Sequence, residues 1–409
     1  MKQFYQLFIC FFILIGANAQ EETIEINMGP GYQNEVYFKL DSQNQNIFEA
    51  SLWDIAFYRE SNFDLGVRVN DGVGITVYEV ANTPAGYNNV DISNQSEWVI
   101  LYNSETEWKN GAFMQGSATY GWGEYNPTTN EVEGTIVFVL EYADGSYRKL
   151  FIESYFGEYN FKYSTWNNGS WSSDITATVS NTSNPDRSYN YYSLINESEL
   201  IGEPAATEWD FVFRKYITYL QGAGQYYPVT GALSNTSVTI AQIEETGDPD
   251  PNNLEYNEEM NIIGYDWKSF AGTWEVFPDK KFYIKYDNNQ VYRIYFTDFE
   301  GTSSGNLTFQ MEEVSELLGS NNQDIFSFGI YPNPSSDRLI TLLYDQGSNF
   351  ENSRIIISDL TGKVVYENKL ISQSGFYQKT LDLNGLQSGI YLVNLKFGDQ
   401  VISKRLILN

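Results

Sequence analysis

Hydrophobic and polar residues alternate along most of this chain, in short runs separated by Asn, Gly, Ser and Asp. In the stretch WDIAF, Trp53, Ile55 and Phe57 fall on one side of the alternation. Residues two apart on a β-strand share a face, so these three side chains are predicted to face a core, with Asp54 and Ala56 facing away. The 32 Tyr and 26 Phe residues favour the same half-buried setting. The pattern therefore predicts an all-β protein.

This pattern occurs twice in the chain. WDIAFYR begins at Trp53 and WDFVFRKY begins at Trp209. Further stretches recur around them in the same order: EVYFKL (35–40) with NYYSLI (190–195), EWKNGAF (107–113) with DWKSF (266–270), GWGEYNP (121–127) with TWEVFP (273–278), VFVLEYADGSYRKLFI (137–152) with FYIKYDNNQVYRIYF (282–296), and YNFKY (159–163) with LTFQM (307–311). The shared order predicts a duplication, with one β domain at 20–179, a turn-rich boundary at 180–186 and a second β domain at 187–314.

Beyond the second copy the pattern changes. Residues 315–326 are polar and lack alternation, which predicts a linker. Residues 327–409 alternate again, with Thr-Gly-Lys and Ser-Gly turns between the apolar runs. A third β module is therefore predicted at the C-terminus.

The first 19 residues have the features of a cleavable secretory signal. Lys2 precedes an apolar run from Phe8 to Ile15, and Ala17 and Ala19 are small residues before Gln20. A retained membrane helix is the alternative, but the run is shorter than the roughly 20 apolar residues that span a bilayer. Export from the cytoplasm is therefore predicted, with no transmembrane segment in the mature chain.

The composition of the chain excludes most of the common types of catalytic site. The chain has no His, and its single Cys, Cys10, lies in the leader. Disulfide frameworks, Cys nucleophiles, Ser-His-Asp triads and zinc sites of the usual kinds are excluded. A carboxylate-dependent enzyme remains an alternative, but with 53 Asp and Glu residues close acidic pairs are expected by chance. A non-catalytic protein is predicted.

The charge of the chain limits its partners. The formal net charge is −29 at pH 7, so nucleic acid and anionic membranes would be repelled. Solubility outside the cell explains this charge more simply than an acidic recognition surface.

One acidic insertion of the second copy has the spacing of a calcium loop. In DPDPNNLEYNEE (248–259), oxygen ligands fall at positions 1, 3, 5 and 12 of the loop, namely Asp248, Asp250, Asn252 and Glu259. Asn253 stands where such loops turn sharply. An ordinary Pro-rich acidic surface loop is the alternative, since two prolines stiffen the segment.

The repeated stretches carry a resemblance to a known family. The lead-in EVYFKL, WDIAF, the GWGEYNP stretch and the YADGSYRKL hairpin resemble the HmuY family of secreted haem-binding β proteins of Bacteroidetes. The resemblance implies a fold that grips a porphyrin between hairpins, with two axial side chains on the iron. Family members often place a His in the region that is 126–131 here, where this chain has Asn130, and the second copy offers Pro278 and Asp279.

Haem would therefore need other ligands in this chain. Met and Tyr can bind haem iron, and Met114 and Met260 flank the two Trp-Lys stretches. A flat macrocycle could also stack on aromatic side chains, for which the candidates are Trp108, Trp122, Trp267 and Trp274. The alternative for all six residues is core packing, which is the usual role of Met and of strand Trp.

The C-terminal module resembles the type A sorting domain of type IX secretion. The resemblance rests on YPNP (331–334), the DLTGK turn (359–363), LNGLQSGIYLV (383–393) and a basic final strand that includes Lys404 and Arg405. It implies a sandwich-like β module, handling by the type IX secretion machinery, and release or attachment at the outer cell surface. The predicted function is secreted or surface binding of haem, another porphyrin or a flat apolar ligand. An adhesive or structural surface protein is the alternative.

Overall fold

The structure is a computed structural model that describes residues 21–59, 65–244, 251–315, 326–346, 353–371, 373, 375–397 and 400–409. The described chain up to Ser315 forms one compact unit, and the C-terminal residues form a second. The predicted leader and residues 316–325 of the linker predicted at 315–326 lie outside the described residues.

Antiparallel strands make up both units, which confirms the all-β prediction. In the first unit the strands are β1 (Glu22–Asn27), β2 (Asn34–Phe38), β3 (Gln45–Glu49), β4 (Ile55–Tyr58), β5 (Val67–Val69), β6 (Thr76–Ala81), β7 (Val99–Leu101), β8 (Gly123–Asn126), β9 (Glu131–Gly134), β10 (Val137–Glu141), β11 (Tyr147–Tyr155), β12 (Glu158–Asn167), β13 (Ser170–Trp171), β14 (Ile175–Ser180), β15 (Tyr189–Ser193), β16 (Ser198–Leu200), β17 (Phe211–Leu220), β18 (Gln225–Ser234), β19 (Val238–Glu244), β20 (Lys268–Phe270), β21 (Trp274–Val276), β22 (Lys280–Tyr286), β23 (Val291–Phe299) and β24 (Asn306–Glu313).

Short 3-10 helices interrupt the strands of this unit, at Pro30–Tyr32, Asp71–Val73, Pro84–Asn89, Ile92–Glu97, Ala112–Gln115, Ala206–Glu208, Pro251–Asn253 and Gly301–Ser303.

The second unit is a two-sheet module with its own core. Its strands are β25 (Phe326–Tyr331), β26 (Leu339–Gln346), β27 (Arg354–Asp359), β28 (Val364–Lys369), β29 (Gly375–Asp382), β30 (Gly389–Phe397) and β31 (Gln400–Leu408). They form a three-stranded sheet, β25-β26-β29, and a four-stranded sheet, β28-β27-β30-β31. Apolar side chains from both sheets share one buried cluster that includes Leu342, Ile357 and Val393. The module therefore has the predicted sandwich arrangement.

The first unit contains two lobes, each with its own core. The first lobe, residues 50–204, is built around a cluster that includes Phe57, Phe138 and Phe161. The second lobe, residues 21–49 and 205–315, is built around a cluster that includes Phe38 and Phe309. The second lobe is therefore made from two separate parts of the chain, with the first lobe inserted between them.

The two lobes repeat one topology. In the second lobe the main sheet runs β1-β24-β23-β22-β19, and in the first lobe the corresponding strands run β14-β12-β11-β10-β6. Each lobe adds a smaller sheet, β18-β17-β2-β3 in the second and β16-β15-β4-β5 in the first. The two lobes thus share one order of strands, and the duplication of the sequence stays a prediction.

The lead-in strands of the two copies are exchanged. β2, from the first copy, pairs with the Trp-Asp strand of the second copy, with Phe38 opposite Phe211. β15, from the second copy, pairs with the Trp-Asp strand of the first, with Tyr192 opposite Ile55. Each lobe thus completes its small sheet with a strand from the other half of the sequence.

The aspartates of the two Trp-Asp stretches hold these exchanged strands. The backbone N–H of Leu194 donates to Asp54 Oδ2 at 2.6 Å. The backbone N–H of Leu40 donates in the same way to Asp210 Oδ2 at 2.7 Å. Both carboxylates are buried. Asp54 was predicted to face away from the core. Its carboxylate does so, and it accepts a hydrogen bond from the backbone of the neighbouring strand.

The predicted domain boundary at 180–186 does not separate two units in the structure. Pairing of β1 with β24, β2 with β17 and β15 with β4 crosses it three times. The predicted domains 20–179 and 187–314 each lack strands that their cores require. The exchange of strands could not be predicted from the local sequence, because the lead-ins of both copies have the same strand pattern.

The outer faces of the small sheets are buried as well, because the lobes pack against each other there. Ile55 and Phe57 lie in the core of the first lobe, as predicted. Trp53 lies instead with Ala56 and Tyr58 on the opposite face. The prediction for Trp53 is wrong because the strand begins only at Ile55, so the alternation does not extend back to it.

Candidate binding pocket

An apolar cavity of about 660 Å³ opens on the first lobe, between two hairpins. It lies where the loop joining β8 to β9 approaches the turn between β11 and β12. Its lining side chains are mostly apolar or aromatic, namely Leu65, Tyr120, Tyr125, Asn130, Val132, Tyr155, Phe156 and Gly157. The volume is in the range of small-molecule and cofactor sites.

The rim of this pocket is aromatic and partly open to solvent. Tyr125 and Phe156 are 49% and 68% exposed, although both are large side chains. The hydroxyl of Tyr125 donates to Asn130 Oδ1 at 3.1 Å, which holds the rim of the β8–β9 loop. Asn130 adopts a left-handed backbone with φ of 60°, a conformation that Asn tolerates. The residue at the position where the resembled family often has His therefore lies at the pocket.

One residue that lines the pocket has a buried polar group without a partner. Tyr155 is buried, and its hydroxyl has no hydrogen-bond partner among the described residues. Burial raises the pKa of this phenol above its usual value, so it stays protonated at neutral pH. An unpaired buried hydroxyl costs roughly 1–3 kcal/mol of folding free energy.

The strand register identifies the counterpart of this pocket in the second lobe. Tyr155 pairs with Tyr159 across the β11–β12 turn, and Phe299 pairs with Leu307 at the same place after an equivalent bulge. Gly157 and Gly301 follow two residues later, and both have a positive φ. Tyr155 and Phe299 are therefore equivalent positions.

The hairpin over the pocket can be aligned in the same way. Trp122 immediately precedes β8 and accepts backbone N–H bonds from Thr135 and Ile136 through its carbonyl. Trp267 immediately precedes β20 and accepts one from Phe277. With the two Trp residues superposed, the pairing of Gly123 with Gly134 and of Lys268 with Val276 makes Val132 and Trp274 equivalent.

In the second lobe Trp274 fills the space that is open in the first. Its ring lies edge-on to Phe299, with centroids 4.8 Å apart. A Cβ on Gly301 would stand 2.4 Å from Trp274 Nε1, whereas one on Gly157 would meet no described heavy atom within 4 Å. The pocket is therefore open in the first lobe because Val132 stands where the second lobe has a tryptophan.

The six residues predicted to contact haem do not form one site. Trp122 is fully buried in the first lobe and donates through Nε1 to the carbonyl of Leu65, which lines the pocket. Met114 is partly buried and packs against the same core. Both residues thus lie in the lobe that has the pocket, in packing positions.

Trp108 and Met260 lie together at the contact between the lobes. Met260 is buried in a cluster with Trp209 and Tyr37, and Trp108 packs against that cluster. Trp108 Nε1 donates to the carbonyl of Ser234 at 2.7 Å across the two lobes. Trp108 also lines a polar cavity of about 470 Å³ together with Glu259.

Trp267 and Trp274 belong to the second lobe. Trp267 is fully buried and stacks on Phe296, with centroids 3.7 Å apart. Lys268 Nζ lies 3.8 Å from the centroid of Trp267, and burial lowers the pKa of this lysine to about 7. The sequence alignment of Trp108 with Trp267 and of Trp122 with Trp274 is wrong, because the hairpin in the second lobe is shorter and shifts the register.

The predicted calcium ligands are only partly described. Asp248 and Asp250 lie outside the described residues, as does the side chain of Asn252. Glu259 is exposed, and its backbone N–H donates to Asn257 Oδ1 at 2.8 Å. In the described part of the chain, no group of three or more acidic, His or Cys side chains converges as a metal site would. The calcium site stays a prediction.

Sequence reasoning missed a buried polar cluster at the contact between the lobes. Arg214 and Glu35 form an ion pair of 3.0 Å in which both side chains are buried. Glu203 is also buried, and its carboxylate accepts from Tyr189 N at 2.8 Å and from the Tyr191 hydroxyl at 3.2 Å. Burial raises the pKa of Glu203 to about 7. The charged residues Glu35 and Arg214 within otherwise apolar strands were the available signal.

Comparison with known proteins identifies the C-terminal module. Residues 329–409 match the family described as the secretion system C-terminal sorting domain. This confirms the sorting module predicted at 327–409, and the protein is exported to the extracellular space or the outer cell surface. None of the helices described is long and apolar enough to cross a membrane.

One solved structure is distantly similar to most of the chain. No curated protein matches the chain. Among solved structures, the crystal structure of apo PinO from Porphyromonas gingivitis is similar over 72% of this chain and 98% of that chain, with 9% sequence identity and a TM-score of 0.24. Similarity at this level supports no conclusion on ligand or mechanism. The resemblance to the HmuY family stays a prediction for the two lobes.

Proposed function

We propose that this exported protein is a non-catalytic binding protein whose first lobe holds a flat, largely apolar ligand, with haem or another porphyrin as the leading candidate. The observation that carries the proposal is the aromatic pocket beside Tyr155, which is open in one lobe and filled by Trp274 in the other. The two lobes share one order of strands and differ at the pocket. The fold can therefore form without an open pocket at this position.

Iron coordination would depend on side chains other than His. Tyr120 and Tyr125 line the rim, and both are more than one third exposed. A tyrosine phenolate can serve as an axial ligand to haem iron. Stacking on the aromatic rim and burial of apolar area would contribute the remaining affinity. Iron is then not essential, and a metal-free porphyrin should bind nearly as well.

The test is an absorbance titration of the protein with haemin and with protoporphyrin IX. We expect micromolar or weaker binding, with similar affinities for the two. Val132→Trp copies the second lobe and should lower both affinities at least tenfold. Ile47→Trp, which adds the same side chain at an exposed position on β3, is the matched control and should change neither.

Other outcomes would reject the proposal. Loss of binding in Met114→Ala or Met260→Ala, with Val132→Trp unchanged, would assign the ligand to a methionine site elsewhere. Absence of any spectral shift with either porphyrin would favour the adhesive or structural alternative.

A further inference from the structure

We infer that a cleft between the two lobes is a second binding site, which holds a neutral oligosaccharide. The cleft has a volume of about 690 Å³. It is lined by residues 99–106, Asn110 and Gln115 of the first lobe and by Tyr226 and Asn261 of the second. None of these residues lines the aromatic pocket of the first lobe. The second site is therefore independent of the pocket on which the proposed function rests.

Contacts between the lobes hold the walls of this cleft in place. The ring of Tyr226 stacks on that of Tyr102, with centroids 3.5 Å apart and planes inclined by 10°. Glu105 accepts from the backbone N–H of Tyr219 at 2.7 Å and from the hydroxyl of Thr218. Hydrogen bonds to a carboxylate are among the stronger ones in proteins, and a stacked aromatic pair adds to them. The cleft is therefore a built feature of the contact between the lobes.

One part of the lining is apolar and open to solvent. β7 is the last strand of its sheet, and Val99 and Ile100 on it are 59% and 42% exposed. Tyr226 is 41% exposed although its ring stacks on Tyr102. A sugar ring carries C–H groups on its faces, which can pack against such aliphatic and aromatic surfaces. The apolar area removed from water would contribute to affinity.

The other part of the lining carries polar groups that the protein does not use. Among the described residues, no hydrogen bond engages the side-chain amides of Gln115 and Asn261 or the hydroxyl of Tyr226. Gln115 and Tyr226 are exposed and Asn261 is partly exposed, so a ligand in the cleft can contact them. An amide and a phenol can each donate and accept. Sugar hydroxyls do the same, so these groups fit a ligand rich in hydroxyls.

The charges of the lining favour a neutral ligand. Among the described residues that line the cleft, Glu105 alone has a charged side chain, and both of its oxygens already accept hydrogen bonds. An anionic ligand would meet no opposite charge in this lining, and the chain as a whole carries a net charge of −29 at pH 7. Neutral sugars are therefore favoured over acidic ones.

The experiment measures binding of four neutral tetrasaccharides to the full chain by isothermal titration calorimetry. The probes are cellotetraose, xylotetraose, mannotetraose and maltotetraose. We expect at least one of them to bind with a Kd on the order of 0.1 mM, which is about −5.5 kcal/mol. Tetragalacturonate has the same length and a carboxylate on every ring. It should bind at least about tenfold more weakly than the best neutral sugar, because its charges gain no partner.

Substitutions in the cleft locate the sugar. Gln115→Ala and Asn261→Ala each remove an amide that no described residue engages, so the melting temperature should not change. Each should lower the affinity for the best neutral sugar about 3- to 10-fold, the value of one neutral hydrogen bond. Gln225→Ala is the matched control, because Gln225 is exposed beside Tyr226 but does not line the cleft. It should leave the affinity unchanged.

The outcomes separate the cleft from the aromatic pocket. Val132→Trp should leave sugar binding unchanged, and the two cleft variants should leave the affinity for protoporphyrin IX unchanged. Failure of all four neutral sugars to bind the folded wild-type protein would overturn the inference. Equal affinity losses in Gln225→Ala and the cleft variants would also overturn it, as would tighter binding of tetragalacturonate. Loss of sugar binding in Val132→Trp alone would assign the sugar to the aromatic pocket and reject the cleft.

Discussion

At the scale of single residues, two aspartates account for the repeated Trp-Asp stretch. The carboxylate of Asp210 accepts more hydrogen bonds than that of Asp54. Besides the N–H of Leu40 it accepts from Lys39 Nζ at 2.8 Å and from the hydroxyl of Tyr286. One buried carboxylate thus connects β17 with the exchanged lead-in and with β22.

Removal of this carboxylate should weaken the second lobe. Asp210→Ala leaves the backbone N–H of Leu40 and the ammonium of Lys39 without their acceptor, so we expect the free energy of unfolding to fall by about 3–5 kcal/mol. Asp210→Asn keeps one acceptor and should cost less. Urea unfolding measures both, with the exposed Asp279→Ala as a control expected to change stability by less than about 0.5 kcal/mol. Equal stabilities for Asp210→Ala and Asp279→Ala would contradict the role of Asp210.

A second residue-scale prediction concerns Glu203 and pH. Its pKa is about 7 in the folded chain, above the ordinary value of 4.5, because the carboxyl is buried. The folded state therefore binds the proton more tightly than the unfolded state. The resulting stabilisation is complete below pH 4.5 and is lost as the pH rises through 7, a change on the order of 3 kcal/mol.

Glu203→Gln should remove this part of the pH dependence. The amide oxygen of Gln can still accept from Tyr189 N, so the variant should fold at both pH values. The measurement is urea unfolding at pH 4.5 and pH 7.5, in which the variant should lose less stability than the wild type on going to the higher pH. An identical loss in the two proteins would show that Glu203 is not the group responsible.

At the scale of strands, the exchange of β2 and β15 determines how the chain can be divided. Fragments 20–179 and 187–314 follow the sequence repeat, but each lacks the strand that its small sheet requires. We expect each fragment alone to melt without cooperativity. Mixed and refolded together, they should recover strand-type circular dichroism and a cooperative melt. Cooperative melting of the separate fragments would show that each copy can complete its own sheet.

Some features of the strands around the pocket could be predicted from the sequence, and others could not. The order of anchors predicted the duplication and the two closing hairpins, because turn residues and alternation are local signals. The equivalence of Val132 with Trp274 could not be predicted in this way, since the hairpins that carry them differ in length. Only the hydrogen bonds accepted by Trp122 and Trp267 establish that register.

At the scale of the whole molecule, the sorting domain and the two-lobed unit are separate compact parts. The sorting domain directs export of the protein from the cell. None of the residues that line the pocket belongs to the sorting domain. Its removal should therefore affect where the protein goes and leave ligand binding unchanged.

Deletion of 327–409 tests this separation. We expect the truncated protein to accumulate in the periplasm of a type IX-secreting cell, as measured by fractionation and immunoblotting. Its affinity for protoporphyrin IX should equal that of the full chain. Normal export of the truncated protein would contradict the role of the domain as an address.

The sequence by itself determined the all-β class, the absence of the side chains on which His and Cys chemistry depends, and the sorting domain at 329–409. Each of these follows from composition, alternation or a contiguous motif, which are properties of neighbouring residues. The tertiary structure decided which lead-in joins which lobe, because β2 and β15 are both strand-forming segments suited to either edge. It also decided that the aromatic pocket is open in the first lobe and that Trp274 occupies the equivalent place in the second, since this depends on the volumes of Val132 and Trp274 where distant strands meet.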